Sequence, residues 1–86
     1  MVYLLAIFTY AGGALMYEIL LNGKTYSLSD PVTVYELILS LSLDPSTVIV
    51  ELNNCIEPKE NWQSITLKSA DQLEILHFLG GGSPLS

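Results

Sequence analysis

The spacing of apolar and polar residues changes several times along this chain, and each change marks an element. "YEILLNGKTYSL", Tyr17 to Leu28, reads as two short strands around Asn22-Gly23. Asn-Gly is the favoured pair for a type I′ hairpin, because both central positions need positive φ. In "DPVTVYELILSLSLDP" the spacing becomes helical. Val34, Leu37, Ile38 and Leu41 fall at i, i+3, i+4 and i+7, on one face. Thr33 followed three residues later by Glu36 forms a capping box at the start. Asp44-Pro45 predicts the stop, since proline disfavours helical backbone in the residue before it.

The second half returns to strands. "TVIVELN" is β-branched and predicts a strand from Thr47 to about Leu52. Asn53-Asn54 predicts a turn, "CIE" a strand stub, and "PKENW" a single helical turn. A short strand is expected near Ile65–Leu67, a turn at Ser69–Asp71, and a last strand from Leu73 to Leu79. Leu73, Ile75, Leu76, Phe78 and Leu79 put apolar side chains on both sides of that last pleat, which predicts a central position. One amphipathic helix with four to five strands gives an α+β domain, a mixed sheet with the helix packed on one face.

Charge changes the picture at the two ends. No charged side chain occurs before Glu18 or after Glu74. The opening "MVYLLAIFTYAGGALMY" is short for a membrane helix and is interrupted by Gly12-Gly13. It lacks the positive n-region of a secretory signal, although "AGGAL" resembles a small-residue cleavage site. Residues 1–15 therefore read as an apolar extension, with membrane association through residues 2–16 as one role and an alternative start at Met16 as another. Residues 16–79 read as the domain, and 80–86 as a glycine-rich tail.

Net charge is −6, with Lys24, Lys59 and Lys68 the only basic side chains besides His77. Three scattered lysines build no basic patch, so nucleic acid is not an expected partner. The lone Cys55 forms no internal disulfide and fits a reducing compartment. It reads as a small apolar residue near a strand end, His77 as a solvent-facing strand residue, and Trp62 as cover for a core edge. No Cys/His cluster has metal-ligand spacing. No Ser/His/Asp set or phosphate loop is present either, so an independent enzyme is not expected.

Four pieces in order carry a family resemblance: "ILLNGKTY", "TVYELILSLSL", "VIVELNNCIEPKENW" and "DQLEILHFLGGG". Together, from Met16 to Gly82, they resemble the sulfur carrier proteins of thiamine biosynthesis. The element order is also that of the β-grasp, or ubiquitin-like, fold. The resemblance implies a carrier and not a catalyst. The carboxylate of Gly82, reached through Gly81, would be adenylated by an E1-like adenylyltransferase that consumes ATP. It would then become a thiocarboxylate with sulfur from a donor such as a cysteine desulfurase. A thiazole synthase would take the sulfur, in the cytoplasm or an organellar stroma, and no cofactor is expected on the carrier itself. Leu76, Phe78, Leu79 and Gly80 would form the docking approach to these partners.

The physical demand on the tail is plain. It must enter another protein's narrow site, and glycine backbone can be approached closely from all sides. Three extended residues reach roughly 10 Å. Two departures from the family stand out. Ser83-Pro84-Leu85-Ser86 follow the glycines, so either a peptidase exposes Gly82 or this copy cannot carry sulfur as written. Ala70 stands where the family often has glycine before the aspartate. Two alternatives stay open: a sulfur carrier of the molybdopterin type, and a β-grasp interaction module tethered by its apolar N-terminus.

Overall fold

The computed structural model describes residues 8–11 and 14–77, with side chains from Met16 onward. β1 (Phe8–Ala11) pairs antiparallel with β2 (Ala14–Leu21), and β2 pairs antiparallel with β3 (Lys24–Leu28). Asn22 and Gly23 both have positive φ, 51° and 81°, as the type I′ turn requires. The register Leu21↔Lys24 closes the hairpin with two residues. Ile19 is buried, and Leu21, Tyr26 and Leu28 pack beside it on the same face. β1 lies within the expected extension, ahead of the residues that carry the resemblance, yet belongs to the sheet.

α1 (Val34–Ser40) begins at the capping box. Glu36 N–H donates to Thr33 Oγ1 at 3.0 Å, and Thr33 N–H donates to Glu36 Oε1 at 2.9 Å. Val34, Leu37 and Ile38 are buried, while Leu41 packs at the core margin. The helix ends before the Asp44-Pro45 stop expected from sequence. Ser42 adopts φ 61°, Leu43 N–H donates to the Ile38 carbonyl, and Ser42 N–H donates to that of Leu39. This is a Schellman closure with serine at the left-handed position where glycine is usual, so the signal was masked.

Asp44 instead caps a 3₁₀ turn, Pro45–Thr47, that feeds β4 (Val48–Leu52). Thr47 thus precedes the strand rather than opening it. Asn53 and Asn54 turn the chain with φ 51° and 72° into the two-residue β5 (Cys55–Ile56), whose side chains are exposed. A 3₁₀ segment, Lys59–Ser64, seats Trp62 in the core, 2 % exposed, with its indole N–H on the Glu57 carbonyl at 2.9 Å. The strand expected at Ile65–Leu67 reduces to one bridge, Thr33↔Thr66. Val34 N–H to Ile65 carbonyl and Leu67 N–H to Val32 carbonyl spend this backbone on the helix entrance, not on the sheet.

β6 (Gln72–His77) lies between β2, parallel to it, and β4, antiparallel. The last strand is therefore central, as the sequence predicts. The helix covers one face, closing a core of Ile19, Val34, Leu37, Ile38, Val48, Val50, Trp62, Leu67 and Leu73. The other face of β6 stays open, so the apolar residue there, Leu76, is not a second buried row.

Candidate functional site

The site is the end of the central strand and whatever holds it. Two turns grip β6, one on each flank. On the β2 flank, Leu20 N–H donates to the Asp71 carbonyl and Asn22 N–H to the Leu73 carbonyl. The Asn22 side chain then takes the next position. Ile75 N–H donates to Asn22 Oδ1 at 2.7 Å, and Asn22 Nδ2 donates to the Ile75 carbonyl at 3.3 Å. On the β4 flank, Gln72 N–H donates to Asn53 Oδ1 at 2.9 Å, and Asn53 N–H donates to the Gln72 carbonyl at 2.7 Å.

Asp71 anchors the start of the strand. It is 5 % exposed, accepts from Lys68 N–H at 2.8 Å, and accepts from Asn53 Nδ2 at 3.1 Å. The Lys68 ammonium stands 3.7 Å away but is exposed, so this ion pair adds little. The hydrogen bonds satisfy the buried carboxylate. Ahead of it, Ala70 holds φ 74°, a left-handed backbone that favours glycine. The turn forms with alanine, at the cost of a strained residue.

Of the expected docking residues, Leu76 is described. It is 56 % exposed on the open face and pairs in register with Ile49 on β4. Two residues back toward the strand start, the next pair on the same face sets Glu74 opposite Glu51. The exit of β6 thus carries an apolar pair with two carboxylates beside it. Phe78, Leu79, Gly80, Gly81 and Gly82 lie outside the described residues.

The other candidates are peripheral to chemistry. Cys55 is exposed on β5, and the His77 ring lies 3.2 Å from Thr47 Oγ1 at the surface. Among the described residues no group of three His, Cys, Asp or Glu could hold a metal ion. Sequence reading found the strand and its tail but missed Asn22, Asn53 and Asp71 as its holders. Asparagine at a positive-φ turn position was the available signal, since it brings a side-chain amide that glycine lacks.

A helix on one face of a mixed sheet, with the last strand central, defines a ubiquitin-like β-grasp protein. The ThiS family model matches residues 19–82. The chain is 41 % identical over 63 residues to the sulfur carrier protein ThiS of Bacillus subtilis, covering 72 % of this chain and 96 % of that one. It is also 36 % identical over 66 residues to a thiazole synthase of Paramagnetospirillum magneticum, covering 77 % of this chain but 20 % of that protein. Among solved structures it matches the thiamine biosynthesis protein ThiS from Geobacter metallireducens. That match has a TM-score of 0.66 and 32 % identity, over 76 % of this chain and 99 % of the other. The chain belongs to the ThiS family.

Proposed function

We propose that this protein is a sulfur carrier of thiamine biosynthesis, working through the carboxylate of Gly82. The observation that carries the reading is the alignment of fold and match. The family match runs to the last of the three glycines, and the strand leading there is central and gripped on both flanks. A central strand does not fray easily, so the end it presents starts from a fixed point.

In this reading an E1-like adenylyltransferase joins the Gly82 carboxylate to the α-phosphate of ATP and releases pyrophosphate. The outer sulfur of a donor persulfide, such as that of a cysteine desulfurase, attacks the acyl adenylate and expels AMP. Thiols then reduce the S–S bond of the resulting acyl disulfide, themselves becoming a disulfide, and leave the thiocarboxylate. Thiazole synthase accepts it. The relative in which a module of this kind makes up a fifth of a thiazole synthase supports that partner. Leu76, with Phe78, Leu79 and Gly80, forms the approach, and the exposed Leu76 beside the half-buried Ile49 is its described part. The carrier holds no cofactor, and ATP is consumed by the partner.

Ser83–Ser86 must leave first, by hydrolysis of the Gly82–Ser83 bond, because an amide-bonded Gly82 has no carboxylate to activate. No helix among the described residues is long and apolar enough to cross a membrane. We place the carrier in the cytoplasm or an organellar stroma, where its partners would work. Intact mass spectrometry of the protein from its own cells tests the reading. The expected species ends at Gly82, a fraction of it with one oxygen exchanged for sulfur. A chain that keeps Ser83–Ser86 and never shows the sulfur form overturns it.

A further inference from the structure

We infer that Asn22 is a positioning residue for the reactive tail: its side chain sets the direction in which β6 leaves the domain. This rests on the carrier reading above. The β2–β6 ladder has two pairs, Leu20↔Gln72 and Leu21↔Leu73. β2 then turns into β3 at Asn22-Gly23, so its backbone no longer runs beside β6. At that point the Asn22 amide replaces the missing strand. It offers Ile75 one acceptor and one donor, as a neighbouring peptide would, at 2.7 Å and 3.3 Å.

Along β6 the backbone polar groups alternate between the two flanks. Asp71, Leu73 and Ile75 turn their backbone polar groups toward β2 and Asn22. The even-numbered residues turn theirs toward β4, beginning with Gln72 at Asn53. Among the described residues, Asn22 is the final tie on the β2 flank before the chain continues to the glycines. On the β4 flank the register runs on to Val48↔His77. A strand tied on one flank alone can swing about that flank. Asn22 restricts the swing, two residues before the end of β6.

Asn22 reaches this position because its backbone is left-handed, φ 51°. Glycine satisfies that backbone equally well in a type I′ turn. The turn alone therefore does not require the amide. The side chain is exposed and 53 residues distant in sequence from its partner. Fixing the exit angle raises the share of molecules whose tail is aligned for a partner's channel. Loss of alignment weakens apparent affinity in proportion to the lost share.

The test compares Asn22→Gly and Asn22→Asp with the unsubstituted protein, each as the full chain and as the chain ending at Gly82. Glycine keeps the turn and removes both bonds; aspartate keeps the acceptor for Ile75 N–H and loses the donor. Two quantities are measured well below the unfolding temperature: amide exchange at Ile75, and the steady-state kinetics of thiocarboxylate formation by the adenylyltransferase and sulfur donor. The expected result for Asn22→Gly is faster Ile75 exchange and a KM for the carrier raised roughly three- to tenfold. Its kcat stays within about twofold, and Asn22→Asp falls between. Faster exchange with unchanged KM overturns the proposal, as does unchanged exchange. A fall in kcat and rise in KM that merely track the unfolded fraction also overturn it, by reducing Asn22 to a stability role. Absence of any thiocarboxylate on the unsubstituted chain ending at Gly82 overturns the carrier reading, and the proposal with it.

Discussion

Among the described residues, two occupy left-handed backbone without being glycine or asparagine: Ser42 at φ 61° and Ala70 at φ 74°. For an L-residue with a Cβ, this conformation costs about 1–2 kcal/mol. Glycine removes that cost but adds freedom to the unfolded chain, which offsets about 0.4–1 kcal/mol. Ser42→Gly and Ala70→Gly are each expected to stabilise the protein by about 0.5–1 kcal/mol, read as a raised urea midpoint with unchanged slope. Loss of stability in either would show that its side chain makes a compensating contact. Asp44 is the second case at this scale. Hydrogen bonds from the Ser46 backbone and side chain, with Lys59 a minor contribution, hold its carboxyl below the usual aspartate range. A lowered folded value means the stabilisation is present above the ordinary aspartate range and is lost as pH falls through the lowered value. An NMR titration should place the Asp44 midpoint below that of aspartate in a peptide, and Ser46→Ala should move it up. Sequence alone predicted the proline stop here, but not that Asp44 would cap a separate turn.

The helix shows how far local rules reach. α1 has only seven residues, too short to persist alone, so its ends and its buried face must both contribute. The capping box was legible because Thr33 and Glu36 satisfy each other within three residues, with no need for the rest of the chain. Thr33→Ala should cost about 1 kcal/mol, measured by denaturant unfolding. A loss well below that would mean that the Thr33↔Thr66 bridge and the Glu36 side chain suffice to start the helix. The strand expected at Ile65–Leu67 failed for the opposite reason. Its alternation was real, with Leu67 buried and Thr66 exposed, but its backbone partners belong to the helix entrance. Pattern reports which side chains face inward; it does not report which backbone stands alongside.

At the scale of the molecule, the sheet has one face under the helix and one open, and the open face at the exit of β6 carries Leu76 with Ile49. Leu76→Ser should leave the fold intact and cost about 1 kcal/mol or less, because more than half of the side chain is already in water. If the proposed function holds, the same substitution should weaken association with the proposed adenylyltransferase or thiazole synthase partner, measured by titration calorimetry. Unchanged affinity would remove Leu76 from the docking approach.

By itself the sequence determined the hairpin at Asn22-Gly23, the capped helix, the β-branched strand, and a last strand leading to glycines. These follow from preferences that act within a few residues: positive φ, reciprocal capping, and the period of apolar side chains. Tertiary structure alone decided what holds that last strand. Asn22 and Asn53 lie 53 and 19 residues from the peptides they bind, and Asp71 is buried by chain that only folding brings near. It also decided that Leu76 faces water, because one helix can cover only one face of a sheet. Hydrogen bonds between distant turns leave no periodic trace in a sequence, and so the grip on the exit strand became visible only when β2, β4 and β6 were side by side.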